Sequence, residues 1–505
     1  MYSSISILFL CIIALLGCGT KNDALKNNLV YNITDYGAIP DSSTVCTAAI
    51  QQAIDEAAAV GGTVLVPAGK FVTGTLILKS NVTLEVSTKG ELIGSPNSSD
   101  YILVQKATNR PNRKVHHLIY ANGQKNISIK GNGTINGNCY AFWTPQDTLP
   151  RWIKHGGDMS KRVYSNMVEM VNCEDIRIEN ITLKDSPEWT LHLFDCTRIF
   201  VTGIKIDNNL FGPNTDGLDL SGCKDAMIAN CHIKTCDDAI CIKTFNNSRN
   251  SENIVVTNCV LQTLCVALKL EESYKKSSNV TFSNCAIYGS SRAIGLYVFQ
   301  GGIVENINIS NIVSESNAPL VLNRPIHIGA WDNVGDGKKG TIRNVSISNF
   351  LSTTQGRILV TAAEGHTVEN ITMRDIRLIY PYIEDPQRYA VGITSAQLKG
   401  VSLAAKGARA AFVAENVRNL TVDNFDVSWN ESDTIPAAWQ LAEKIENGSD
   451  RVHRPDYSKV KQADFQLLWA DKMNFLSFAA NASATSSDKK LPKYTITNSS
   501  NTQTK

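Results

Sequence analysis

One short phrase returns along most of this chain: an Asn or Asp, a run in which β-branched or apolar residues alternate with polar ones, then Asn again. Asn253-Ile-Val-Val-Thr-Asn, Asn279-Val-Thr-Phe-Ser-Asn, Asn306-Ile-Asn-Ile-Ser-Asn, Asn344-Val-Ser-Ile-Ser-Asn and Asn419-Leu-Thr-Val-Asp-Asn are examples. Asn253 to Asn279 is 26 residues, Asn279 to Asn306 is 27, and Asn344 to Asn370 is 26. A fixed period in this range means a solenoid, a propeller or an array. The alternation is that of strands, turn residues separate the runs, and each unit is shorter than the roughly 40 residues of a propeller blade. An all-β parallel β-helix follows. The longer gap from Asn126 to Asp175, 49 residues, fits either two turns or one turn with an inserted loop.

Within such a tube, Cys231, Cys259 and Cys285 each follow an Asn at one repeat position, where Ile312 and Phe350 stand in the next repeats. They are expected as stacked, free thiols inside the core, because small apolar thiols fill such stacks well. Sequons such as those at Asn81, Asn180 and Asn370 recur at repeat positions and are read as turn chemistry. Ahead of the strands, Thr47 to Ala58 has helical periodicity, with Ala49, Ile50, Ala53 and Ile54 on one face and Gly61-Gly62 ending it. A short N-terminal capping helix would shield the open end of the solenoid.

The expected domain plan has the β-helix over 30–430. Beyond Trp429 the repeat fades, so 431–480 is read as an extension packing on the solenoid, with a helix over Ala437 to Glu446 and an apolar docking stretch from Phe465 to Phe478. The Ser-, Thr- and Asn-rich stretch 481–505 is read as a disordered tail. At the other end, Ile5 to Leu16 is apolar over the length of a signal h-region and stops at Leu15-Leu16-Gly17-Cys18. That ending resembles a bacterial lipoprotein box, which implies a signal peptide over 1–17, a lipid on Cys18, a tether over 18–29, and an exported protein anchored to the outer membrane. Lys plus Arg is 49 against Asp plus Glu 47, so no overall field argues for nucleic acid.

The chemistry concentrates between Asn214 and Thr244, NTDGLDLSGCKDAMIANCHIKTCDDAICIKT. Asp216 lies 21 and 22 residues before Asp237 and Asp238, close to one coil. Residues one coil apart sit about 4.8 Å from each other. Three carboxylates could thus converge, and their repulsion would raise one pKa while leaving others ionised, which supplies an acid and a base together. Ordinary solvated turn acids are the alternative reading of the spacing alone.

Here the sequence resembles glycoside hydrolase family 28, the polygalacturonases and rhamnogalacturonases. The likeness rests on Asn214-Thr215-Asp216-Gly217-Leu218-Asp219, on Cys236-Asp237-Asp238-Ala239-Ile240, on Asp185-Ser-Pro-Glu-Trp189-Thr-Leu-His192 upstream, and on NITDYGAIPDSSTVCTAAIQQAI and GGTVLVPAGKF near the start. It covers roughly residues 30 to 425. It implies a right-handed parallel β-helix of the pectate-lyase-like kind, hydrolysis with inversion, Asp237 as the acid, and Asp216 with Asp238 on the water. It also implies no metal or organic cofactor, Asn214 as a wall of the site, and Asp219 as an orienting carboxylate. The partner is a poly- or oligosaccharide and the protein is expected as a monomer.

Two departures bear on substrate. Leu264 is read as standing where the family's Gly-His-Gly histidine would be, and Arg292-Ala-Ile-Gly-Leu-Tyr297 replaces an Arg-Ile-Lys that holds a uronate carboxylate. Lys269 and Arg292 are candidate substitutes, Tyr297 and Trp189 candidate sugar platforms, and His192 a further substrate contact. The inserted stretch starting Asn138-Cys-Tyr-Ala-Phe-Trp143 could wall one end of the cleft. Two other classes stay open: a β-helical lyase or epimerase, against which stands the lack of a clear basic cluster in the acidic coils, and a carbohydrate-binding solenoid without catalysis.

Overall fold

The computed structural model describes residues 29–108, 114–143, 166–317, 324–332, 335–354, 356–381, 401–402, 404–405, 408, 410–429, 466–484 and 494–505. The expected leader, Cys18, its tether up to residue 28, and the helix at 437–446 lie outside them. Among the described residues no helix is long and apolar enough to cross a membrane.

The strands stack as a right-handed parallel β-helix, the hand that twisted strands impose on parallel crossovers. One face of the tube is a sheet of 13 strands running in coil order from Leu76–Ile77 to Tyr494–Thr497, and the other faces belong to a 23-stranded sheet. An antiparallel pair, Leu103–Gln105 with Lys114–His116, sits beside them. Alternation decides which side chains enter the tube. In the 13-stranded sheet Leu191, Leu218, Ile240, Leu268, Ile294 and Ile326 lie in register on successive coils, all with no exposed surface. Each such burial is worth about 1.5–3 kcal/mol before chain entropy is counted. The residues between them point outward, and those positions carry the site.

The stacking rule holds for the cysteines. Val260 N bonds Cys231 O and Ala286 N bonds Cys259 O, which places Cys231, Cys259 and Cys285 one above another, and Cys285 pairs with Ile312 and Ile312 with Phe350. The eleven described cysteines are all free and buried. Ile127 pairs directly with Ile176, so the 49-residue gap is one coil with an insertion. At the turns, Asn253, Asn279, Asn306, Asn344, Asn370 and Asn419 adopt left-handed φ of 54–60°. From Asn279 onward each amide donates to the one on the preceding coil at 2.9–3.2 Å, and Asn253 donates to Asp225 Oδ1 at 2.8 Å. The sequon residues Asn81, Asn180 and Asn370 share that backbone conformation, as turn chemistry requires.

The helix Thr47–Val60 lies against the first coils, with Ile50, Ala53, Ile54 and Ala57 in the common core and Gln51 hydrogen-bonded to both backbone groups of Ile77. The C-terminal reading needs correction. Gln466–Asp471 pairs with Ala410–Glu415, and Asn474–Ala484 with Arg418–Trp429. Tyr494–Thr497 and Ser500–Thr504 add a further coil. The described parts of 431–480 and 481–505 are therefore solenoid, not extension and disordered tail. Phe412, Phe425 and Phe478 meet edge-to-face at 5.6–5.8 Å, and Phe478 meets Tyr494 at 5.8 Å. The last strand is polar and pairs through its backbone, a bond that no side-chain pattern announces.

Candidate active site

Four successive strands of the 13-stranded sheet build the site: Leu191–Phe194, Leu218–Ser221, Ile240–Thr244 and Val266–Ser273. Their outward residues form two rows. One runs His192, Asp219, Cys241, Lys269, and the other runs Ser221, Lys243, Glu271. Asp216 and Asp238 sit just before their strands on adjacent coils, since Gly217 N bonds Asp238 O at 2.8 Å. The one-coil spacing read from the sequence is what brings them together.

Stacked carboxylates repel, and the structure separates them with cations. Lys243 Nζ lies 2.9 Å from Asp219, 3.1 Å from Asp216 and 3.8 Å from Glu271. Lys269 Nζ lies 2.6 Å from Asp238 and 2.5 Å from Glu271. Burial opposes the charge on both lysines, but the acids outweigh it and hold their pKa values well above the ordinary range. Asp219 is wholly buried and paired with Lys243. The expectation that the acidic coils lack a basic cluster is thus wrong: the cations come from different coils and meet only in space. Asp238, Cys241 and Glu271 are close enough to hold a metal. Two ammonium groups already meet the demand of these acids for positive charge.

The three expected catalytic carboxylates differ in environment. Asp237 is partly exposed, while Asp216 and Asp238 are buried. Asn214 donates to Asp237 Oδ2 at 3.1 Å, and the Asp238 backbone N–H donates to Oδ1 at 3.0 Å. Partial desolvation and then the Asp238 charge push Asp237 up. Burial also works against Asp238, but Lys269 and Lys243 overcome it and hold that carboxyl below its ordinary value. Burial, with Asp219, Asp237 and Asp238 adding to it against Lys243, raises Asp216. Its Oδ1 has no hydrogen-bond partner among the described residues.

Other expected residues take different places. His192 is wholly buried, with Nδ1 at 3.0 Å from Glu169 and Nε2 at 3.0 Å from Ser221. Glu169 also holds His117 at 2.7 Å. Trp189 lies beneath two ammonium groups, Lys243 at 4.0 Å and Lys106 at 4.6 Å from its ring centroid. Both ring nitrogens of His192 are used, and the Trp189 ring faces the Lys243 ammonium. Lys269 is taken up by the acids. Arg292 Nη2 lies 3.1 Å from Cys265 Sγ and its Nη1 3.4 Å from Tyr297 Oη. The Val266 N–H donates to Asp238 Oδ1 at 3.2 Å. Lys243, Glu271 and Glu169 were not anticipated. Lys243 is two residues past Cys241 and so shares its outward face, a signal that becomes readable once the register is known.

Residues 57–429 match the model of glycosyl hydrolases family 28. A probable polygalacturonase of Vitis vinifera is 30% identical over 224 residues, 42% of this chain and 44% of that protein. Polygalacturonase-2 of Solanum lycopersicum is 24% identical over 366 residues, 70% and 76% of the two chains. The chain spans less than two thirds of the first curated relatives it matches, 44% and 65% of their lengths. Among solved structures, an exopolygalacturonase from Thermotoga maritima superposes with a TM-score of 0.59 at 23% identity, covering 70% of this chain and 87% of that one. A family 28 exopolygalacturonase from Yersinia enterocolitica gives 0.63 at 16%, covering 94% and 78%.

Proposed function

Because the chain belongs to glycosyl hydrolases family 28, we propose that it hydrolyses glycosidic bonds in a pectin-like acidic polysaccharide with inversion at the anomeric carbon. One observation carries the reading: two carboxyls consecutive on one coil are driven apart in pKa, Asp237 upward and Asp238 downward. Such a split assigns acid and base. Asp237, whose pKa is raised and which is partly open to solvent, donates a proton to the glycosidic oxygen as the bond to the anomeric carbon breaks. Ionised Asp238 takes a proton from the water that attacks the opposite face, and Asp216 orients that water through its unpartnered Oδ1. Asn214 fixes Asp237 by the bond already described.

The reading includes export and a lipid on Cys18, supported by the apolar run Ile5 to Leu16 ending at Leu15-Leu16-Gly17-Cys18. Cys18→Ser is expected to move the protein out of the membrane fraction, and an unchanged distribution would remove the anchor.

Polygalacturonate and other acidic glycans are the substrates to offer, with products followed by NMR. New reducing ends of inverted configuration are expected, and Asp237→Asn should lose roughly 10²–10⁴ in rate with an unchanged melting temperature. Full activity in that variant removes the proposed acid. Unsaturated products absorbing in the ultraviolet would replace hydrolysis with elimination.

A further inference from the structure

Beyond the acidic coils the sheet face changes character. Arg292 and Arg324 open successive strands in register, Arg357 precedes the next, and all three are buried. Gly295 and Gly329 leave two outward positions without side chains, and aromatic rings fold into the space. A Cβ on Gly295 would come within 2.8 Å of Tyr297, and one on Gly329 within 2.9 Å of Trp331. Tyr297 meets His327 at 4.9 Å and Trp331 at 5.7 Å, and His327 stacks on Trp331 at 6.3 Å with the planes 8° apart.

Arg324 Nη1 lies 3.0 Å from His327 Nδ1. A guanidinium can only donate, so Nδ1 is the lone-pair nitrogen and a neutral ring carries its hydrogen on Nε2. Burial, and then the charges of Arg324, Arg292 and Arg357, keep the ring neutral by holding its pKa well below the ordinary value. His327 Nε2, Arg292 Nε and Trp331 Nε1 are therefore three donors. All are buried, and none has an acceptor among the described residues. A buried donor left unpaired keeps its desolvation penalty without compensation. Three on one patch, with two guanidiniums beside them, describe a site that is missing its acceptor. The site also joins the acids: Arg292 reaches Cys265, whose Sγ lies within 4.8 Å of Asp237 and Asp238 oxygens.

We propose that Arg292, Arg324, His327 and Trp331 form a carboxylate-binding subsite for an acidic sugar of the chain cleaved at Asp237, so that this protein grips its substrate's charge with residues two and three coils beyond the acids. At roughly 4.8 Å per coil that is about 10 and 14 Å along the axis. The inference rests on the hydrolase reading for its substrate and on the unpartnered donors for its chemistry. Gly295 and Tyr297 occupy the outward positions of the strand between, so the grip is displaced along the tube.

The full-length Asp237→Asn protein, which binds without turnover, is titrated calorimetrically with digalacturonate and with its neutral counterpart, digalactose. Adding His327→Leu or Trp331→Phe is expected to weaken digalacturonate at least about tenfold and digalactose less than twofold. Arg324→Met serves as a third variant should either fail to fold, with thermal melting as the check. Equal weakening for both ligands, or none for digalacturonate, overturns the subsite. If the wild-type protein does not hydrolyse polygalacturonate while the charge-selective loss is seen, the hydrolase reading falls and the subsite stands. If hydrolysis is intact and the variants bind digalacturonate as the parent does, the subsite falls alone.

Discussion

The asparagine turn and the acidic coils obey the same rule, in which each side chain lies above its equivalent one coil away, with opposite consequences. An Asn amide is self-complementary: Asn306 donates to Asn279 and accepts from Asn344, so the stack needs no cation between its members. A carboxylate stacked on a carboxylate only accepts, so Asp216, Asp219, Asp238 and Glu271 need Lys243 and Lys269 between them. The first column stabilises and does nothing else. The second is stable only through borrowed cations, and its residual imbalance appears as displaced pKa values.

Removing a cation should break that contrast most sharply. Lys243→Met leaves Asp216 and Asp219 buried without their shared partner, and breaking a buried pair from one side costs about 3–5 kcal/mol. Denaturant unfolding measures it, and a loss below about 1 kcal/mol would mean that the acids stack without help. Lys269→Met acts on chemistry more than on stability. In the proposed mechanism Asp238 works ionised, and Lys269 and Lys243 hold its pKa below the ordinary carboxylate value against burial, so activity is expected to fall only as pH drops through that lowered value. In the same mechanism Asp237 works protonated, and its pKa is raised, so activity is expected to be lost as pH climbs through that raised value. Lys269 lowers both, hence its removal should move both limbs to higher pH. A pH profile whose acid limb does not move would take away Lys269 as the cause.

The same contrast explains what the sequence could disclose. The repeat is local and periodic, so Asn253 to Asn424 reveals the tube, and a spacing of one coil unites Asp216 with Asp238. Lys243 escaped because its acid partners lie on the neighbouring coils, at a register that only the fold supplies, and Lys269 was read toward the sugar because its bond to Asp238 likewise crosses coils. His192 and Trp189 were placed against the sugar because a motif records which residues recur, not that Glu169 and Ser221 fill both ring nitrogens. The coil at Tyr494–Thr504 was hidden for a third reason: Ser500–Thr504 is exposed and polar and carries no pattern, and backbone bonds to Gln466–Asp471 and Asn474–Ala484 hold the coil.

The smallest expected effect tests the self-satisfied column. Asn306 is exposed, with φ of 57°, and makes two side-chain bonds in its ladder. Asn306→Ala loses both, at about 0.5–1.5 kcal/mol each before the discount for solvent, and holds an alanine in the left-handed region at about 1–2 kcal/mol. A total of about 1–3 kcal/mol is expected. Asn306→Gly loses the same bonds without the backbone strain, so it should cost about 1 kcal/mol less. Both variants should keep full hydrolytic activity, because the ladder lies in the 23-stranded sheet and the acids on the other face. Equal costs for Ala and Gly would assign the ladder's contribution to the amide bonds alone. A loss of activity at unchanged stability would mean that the two columns are coupled through the tube, and that the neutral column also sets the spacing on which the acids depend.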